Sequence, residues 1–228
     1  MRQFFPPSDL AKEPYSAILG YPHATKSQLQ SRIKELKQLG IDGVSFEGPM
    51  NINKICVLGK GYAGVVILAK YGTNKVALKI RRTDSPRKDM KKETTLLLAA
   101  NKAGVGPKLI TSSKNFVVME FLNGKKIYDW VEELKGKGST VKLKVLIKKV
   151  LIDCYKLDEA GLDHGELSNI TKHVIVGKHT TIIDFESASL ERRASNVTSA
   201  SQAMLIGSGL AKMVNRIYAL PPKQKIIA

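Results

Sequence analysis

Three glycines and one lysine carry the first chemical signal in this chain. Gly59, Gly61 and Gly64 stand in the run Val57-Leu58-Gly59-Lys60-Gly61-Tyr62-Ala63-Gly64-Val65-Val66, and Lys79 ends the run Val76-Ala77-Leu78-Lys79. Glycines at this spacing let backbone amides approach phosphates closely, and a strand lysine supplies a cation for the same charge. The spacing alone is ambiguous, because dinucleotide-binding turns share it. Those turns need a helix directly after the glycines and an acidic residue about 20 positions on. Here Val65 to Ala69 continues as strand, Tyr71-Gly72-Thr73-Asn74 turns, and Val76 to Ile80 returns. A glycine loop inside a hairpin, with lysine on the return strand, predicts a cover for nucleotide phosphates.

Other residues could share that chemistry. Asp184 sits between Ile183 and Phe185. A carboxylate in so apolar a segment is costly to bury unless a cation compensates, so it reads as a metal ligand. Glu93 shares a helix face with Leu97 and Ala100, and by itself could be an exposed helix charge. His164-Gly165-Glu166-Leu167 follows a long helical pattern, and His164 by itself reads as a hydrogen-bonded structural histidine. Cys56 and Cys154 lie in apolar runs without metal-ligand spacing, which predicts buried thiols. Arg192-Arg193-Ala194-Ser195 reads first as a basic loop capping the last helix and second as a basophilic phosphorylation motif.

The elements that must position these residues fall into three stretches. Residues 1–50 form an N-terminal extension with its own composition, a possible docking unit or, equally, a helix packed on the lobe that follows. Thr25 caps a helix over Lys26 to Leu39, and Ile41 to Phe46 reads as a strand. Residues 51–122 read as a β-rich lobe with one strong helix from Pro86 to Ala103. Residues 123–228 read as a short, mostly helical lobe. Its helices run from Lys126 to Leu134, from Thr140 to Ala160 and from Val197 to Tyr218, the last stopped by Pro221-Pro222. The expected fold class is α+β. A net charge of +17 over 228 residues suggests polyanionic company, RNA or a ribonucleoprotein included. No apolar run approaches the roughly 20 residues that span a bilayer, and the N-terminus lacks a signal-peptide pattern. The expectation is a cytoplasmic protein without a membrane partner.

In this order the motifs resemble the protein-kinase-like fold. With glycine rather than arginine in His164-Gly165-Glu166, they are similar to the atypical RIO kinases and the KEOPS-complex kinase over about residues 51 to 190. The resemblance implies a minimal two-lobed kinase-like fold with ATP and Mg²⁺ as cofactors. It places Gly59, Lys60, Gly61, Tyr62, Ala63, Gly64 and Val65 over the phosphates. Ala77 joins the nucleotide-binding residues, and Lys79 pairs with phosphates and with Glu93. Glu120 and Leu122 offer backbone groups to adenine, Asp184 holds Mg²⁺, and Glu166 takes the place of the catalytic-loop aspartate.

Three departures bear on function. Glu166 is longer than the usual aspartate. The second metal ligand is not at its usual offset: Asn169 comes early and is the better oxygen ligand, while His173 stands before the strand Val174-Ile175-Val176. Glu186 replaces the glycine after Asp184-Phe185, and only a short stretch follows. The implied activity is phosphoryl transfer from ATP to Ser/Thr of a protein or of the chain itself. The alternative is an ATP-binding switch or ATPase in an RNA- or ribosome-linked assembly. A small-molecule kinase of the aminoglycoside type fits less well, because the C-terminal part is so short.

Overall fold

The computed structural model describes residues 3–220. Met1, Arg2 and Pro221-Pro222 lie outside the described residues. The chain forms two compact units, Met1–Thr95 with Lys108–Phe121 and Leu96–Pro107 with Leu122–Ala228.

The first unit opens with a 3-10 turn at Pro7–Ala11, α1 (Ser16–Leu19) and α2 (Lys26–Gln38). A capping box starts α2: Thr25 Oγ1 accepts from Gln28 N, and Gln28 Oε1 accepts from Thr25 N. Strands β1 (Ile41–Ser45), β2 (Met50–Ile52), β3 (Ile55–Val57), β4 (Gly59–Lys60), β5 (Gly64–Tyr71) and β6 (Asn74–Arg81) follow. Helix α3 (Lys91–Lys102) runs from this unit into the second. It begins later than Pro86, and Asp89 Oδ1 accepts from Lys91 N at its first turn. Strands β7 (Leu109–Ser112) and β8 (Phe116–Glu120) complete an antiparallel sheet ordered β1-β5-β6-β8-β7, with β4 on β5.

Residues 1–50 share one core with the lobe that follows. Leu10, Ile18, Leu19 and Leu36 belong to the same buried cluster as Val65, Ile67, Leu78, Ile80 and Phe116, and β1 pairs with β5. A buried polar network adds to this. Arg32, on α2, donates to Leu19 O at 2.5 Å. Glu35 accepts from Asn115 N and Nδ2, both at 2.7 Å, and Arg81 Nη2 donates to Asn115 Oδ1 at 2.9 Å. Burial, with Arg81 nearby, lowers the Arg32 guanidinium to about 10, so it stays charged at neutral pH. Leu36 is in this core, and Leu29 and Ile33 pack against it, as a helix packed on the following lobe would place them.

The second unit holds β9 (Gly124–Lys126), α4 (Ile127–Glu132), α5 (Ser139–Glu159), α6 (Ile170–His173), β10 (Val174–Gly177), β11 (Thr180–Ile182), α7 (Asn196–Leu205) and α8 (Gly209–Ile217). Its small sheet is ordered β11-β10-β9. Leu143, Leu146, Val150, Cys154 and Leu157 form the buried face of α5. The single helix expected from Val197 to Tyr218 is two helices, because Ser208 Oγ caps a new start by accepting from Ala211 N at 3.0 Å. The α+β class expected from the sequence is the one observed.

Candidate active site

In the first unit the glycine loop is the turn from β4 to β5, closed by Gly61 N donating to Gly64 O at 2.8 Å. Gly64 has a packing role. A Cβ there would come within 3.0 Å of Lys79 Cγ and of Ile80 O, so its absence lets the Lys79 stem lie against β5. A Cβ at Gly59 or Gly61 would make only ordinary contacts, at 3.9 Å to Val66 and 3.8 Å to Gly64 O, so packing alone does not demand glycine at either position. Ala63 and Val65 are buried, and Tyr62 stands out 69% exposed. Residues from outside the motif hold the loop. Arg82 N donates to Ala63 O at 2.9 Å, and Lys60 and Arg82 both lie over the Tyr21 ring. Tyr21 and Arg82 carried no signal in the sequence.

Lys79 Nζ donates to Glu93 Oε1 at 2.6 Å, with the two side chains 5% and 6% exposed. Arg87 Nη1 lies 3.8 Å from Glu93 Oε2. The structure thus brings together two predicted residues that lie on β6 and α3. Ala77, on β6, is also buried. At the end of β8, Glu120 N donates to Lys108 O at 2.9 Å, and its carboxylate accepts from Lys108 N at 3.2 Å. Leu122 begins the second stretch of the second unit.

In the second unit His164 is fully buried. Its amide donates to Asn196 Oδ1 at 2.8 Å, and Nε2 lies 3.0 Å from Ile183 O, which places the ring proton on Nε2. Its ring meets Phe185 and His173, with centroids 5.1 and 5.2 Å away. Burial lowers its pKa and keeps it neutral. The scaffold role expected of His164 matches these contacts.

Both oxygens of Glu166 have company. Ser187 Oγ donates to Oε1, and His173 Nε2 lies 3.0 Å from Oε2 without the alignment of a hydrogen bond. His173 is buried, and its pKa is lowered by that burial against the pull of Asp184 and Glu166. Asn169 is exposed, and its Oδ1 accepts from Thr171 Oγ1 at 3.1 Å. Asp184 adopts a left-handed backbone, φ 69°, unusual for a non-glycine residue. Such strain persists only where the surroundings enforce it, and it clusters at functional sites. Lys126 feels Asp184: burial lowers its pKa while Asp184 and Asp129 oppose the shift. Glu186 is buried, and one of its carboxylate oxygens lies within 4.8 Å of one from Asp184. In the sequence Glu186 carries no signal beyond standing where a glycine is usual. Two hard oxygen donors this close fit a Mg²⁺ ion.

Gly165 explains why this loop has no arginine. At φ +84° it is left-handed, and Arg192 occupies the space where its side chain would stand. Arg192 Nη2 donates to Ser187 O at 2.6 Å and Nε to Asp163 Oδ2 at 2.7 Å. The basic loop does not cap the last helix as expected. Asp158 does, accepting from Asn196 N at 2.8 Å and Val197 N at 3.0 Å. Nothing in the local sequence marks this role of Arg192, because its partner Asp163 is 29 residues away.

A β-sheet unit carrying a glycine loop and a buried lysine–glutamate pair, with a helical unit carrying the His164-Gly165-Glu166 and Asp184 loops, defines a kinase-like α+β protein. Residues 69–197, more than half of the chain, match the RIO domain, and the chain belongs to the RIO family of atypical kinases and ATPases. The matched stretch includes Lys79, Glu93, Glu166 and Asp184 and starts beyond the glycine loop. The chain is also similar to the uncharacterised protein MJ1211 of Methanocaldococcus jannaschii. The two are 34% identical over 97 residues, which cover 42% of this chain and 79% of that one. Proteins of this family bind ATP with Mg²⁺. Among the described residues no helix is long and apolar enough to cross a membrane.

Proposed function

We propose that the protein transfers the γ-phosphoryl group of ATP to Ser or Thr of a protein substrate, itself included, in the cytoplasm. The observation that carries this reading is the buried Lys79–Glu93 pair at 2.6 Å. A lysine so held presents its charge at a fixed point beside a glycine loop, which is what phosphate positioning requires. The loop from Gly59 to Val65 covers the phosphates. Ala77, the Glu120 carbonyl and the Leu122 amide receive adenine. Asp184 and Asn169 hold Mg²⁺, with His173 as the alternative to Asn169 and Glu186 supporting Asp184. Bound Mg²⁺ neutralises charge on the phosphates. Glu166 accepts the proton of the attacking hydroxyl.

A second reading is an ATPase or ATP-binding switch within an RNA- or ribosome-linked assembly. It is favoured by the engagement of Glu166 with Ser187 and His173, which leaves its carboxylate less available to a substrate hydroxyl. Purified protein incubated with γ-labelled ATP and Mg²⁺ separates the readings. Labelled protein supports the kinase, free phosphate alone supports the ATPase, and Mg-ATP binding that survives both Lys79→Ala and Asp184→Ala overturns both.

A further inference from the structure

The outward face of α5 is apolar where a solvated helix would be polar. Val141, Val145, Ile152 and Tyr155 are 65%, 63%, 41% and 57% exposed. At 100° per residue they form one stripe. A groove of about 560 Å³ runs beside it, lined by Ile147 and Leu151 of α5, Leu205 of α7 and Tyr218. Lys144 and Lys148 line the same groove, Lys142 and Lys156 lie on the same helix, Lys149 is held by Asp153, and no carboxylate occurs from Val141 to Ile152.

We infer that this face docks an amphipathic acidic helix of a partner protein. Apolar anchors enter the groove and cover the stripe while carboxylates meet the lysines, as in helix-in-groove recognition. Charge selects this occupant over the others. A second copy would bring another net charge of +17. The chain's own last residues carry Lys223 and Lys225, of the same sign as the face they would cover. RNA would satisfy the lysines but leave Val141, Val145 and Ile152 in water, with one exposed aromatic to stack on. A flat anionic bilayer would cover the stripe and leave the groove unfilled.

The test uses the full chain and a fluorescein-labelled designed peptide of about 18 residues, roughly five helical turns. Leucines occupy its i, i+3, i+4 and i+7 positions, and glutamates fill the rest. Anisotropy titration should show saturable binding, weakened about tenfold or more by Val145→Glu or Ile152→Glu, which alter exposed positions only. A peptide with lysine for each glutamate should bind at least tenfold more weakly. Equal affinity for the two peptides, or no effect of either variant, overturns the inference. Duplex RNA or anionic vesicles that bind while the acidic peptide does not would assign the face to those partners instead. Tighter peptide binding by Ile226→Asp/Ile227→Asp would make the chain's own tail the occupant.

Discussion

Arg192 stands where the side chain of a residue at position 165 would be, and Gly165 is the residue that permits it. Its guanidinium joins Asp163 to Ser187 O, and Ser187 in turn donates to Glu166. Gly165→Ala should therefore destabilise the protein. The left-handed backbone alone costs about 1–2 kcal/mol, and the new methyl also meets Arg192 and Ser187 O. In urea melts, Arg192→Ala in the Gly165→Ala background should recover part of the loss, since the overlap with Arg192 goes while the backbone strain stays. Wild-type stability for Gly165→Ala would mean that Arg192 moves aside at no cost.

Lys79 and Glu93 should separate stability from ligand binding. Breaking a buried ion pair by removing one partner costs about 3–5 kcal/mol, and Arg87, 3.8 Å from Glu93, offsets part of that cost when Lys79 is the residue removed. Lys79→Met and Glu93→Leu should each lower the melting point, and the double variant should melt above Glu93→Leu alone, because Lys79 is then no longer buried without Glu93. Calorimetry should show that Mg-ATP binding is lost in the double variant all the same. Retained binding would place the phosphate contact elsewhere.

Much of this was legible because local pattern and chemistry agreed. The Thr25 cap, the β5–β6 hairpin and the apolar stripe of α5 each follow from neighbours in sequence, and Lys79, Glu93, Glu166 and Asp184 were singled out by residue types in order. What failed to show depends on contacts distant in sequence. Glu35 gains its meaning from Asn115, Gly165 from Arg192, and the start of α7 from Asp158. No period or spacing encodes such pairs. The break between α7 and α8 was missed because Ser208, a good cap, lies inside an otherwise helical pattern.

The N-terminal fifty residues pack as part of the β-sheet unit. Leu10, Ile18, Leu19 and Leu36 are completely buried in the core of the β-sheet unit. Leu36→Ala should cost about 2–5 kcal/mol, as buried leucine truncations do. A chain beginning at Pro49 should lack a cooperative melt, since it loses β1, α2 and the Glu35–Asn115 bonds together. Cooperative unfolding and ATP binding by that truncation would show the extension to be dispensable.

The two thiols should differ in reactivity. Burial, with Asp158 and Asp153 adding to it, pushes Cys154 up to about 12. The thiolate is the nucleophile, so at pH 8 this thiol is neutral as well as enclosed. Cys56 is partly exposed. Ellman's reagent should therefore modify one thiol quickly in the native protein and the second only after guanidinium unfolding. Cys56→Ser should abolish the fast phase. Two fast thiols would mean that α5 opens readily around Cys154.

Glu166 decides between the two proposed activities. A general base must reach the proton it takes, within about 2.6–3.2 Å or through one water. Its carboxylate is presently shared between Ser187 Oγ and His173. If Glu166 is the base, Glu166→Gln should abolish phosphoryl transfer with little change in ATP affinity, because Gln keeps the size and the acceptor oxygen but cannot take the proton. Glu166→Asp should weaken transfer by withdrawing the carboxylate about one bond length, a small displacement that positioning chemistry punishes. Ser187→Ala supplies the control, since freeing one carboxylate oxygen should leave transfer intact or raise it. The measurement is labelled-phosphate transfer beside calorimetric ATP affinity for all four proteins. Undiminished transfer by the Gln variant would remove Glu166 from the chemistry and leave it as a strut between Ser187 and His173.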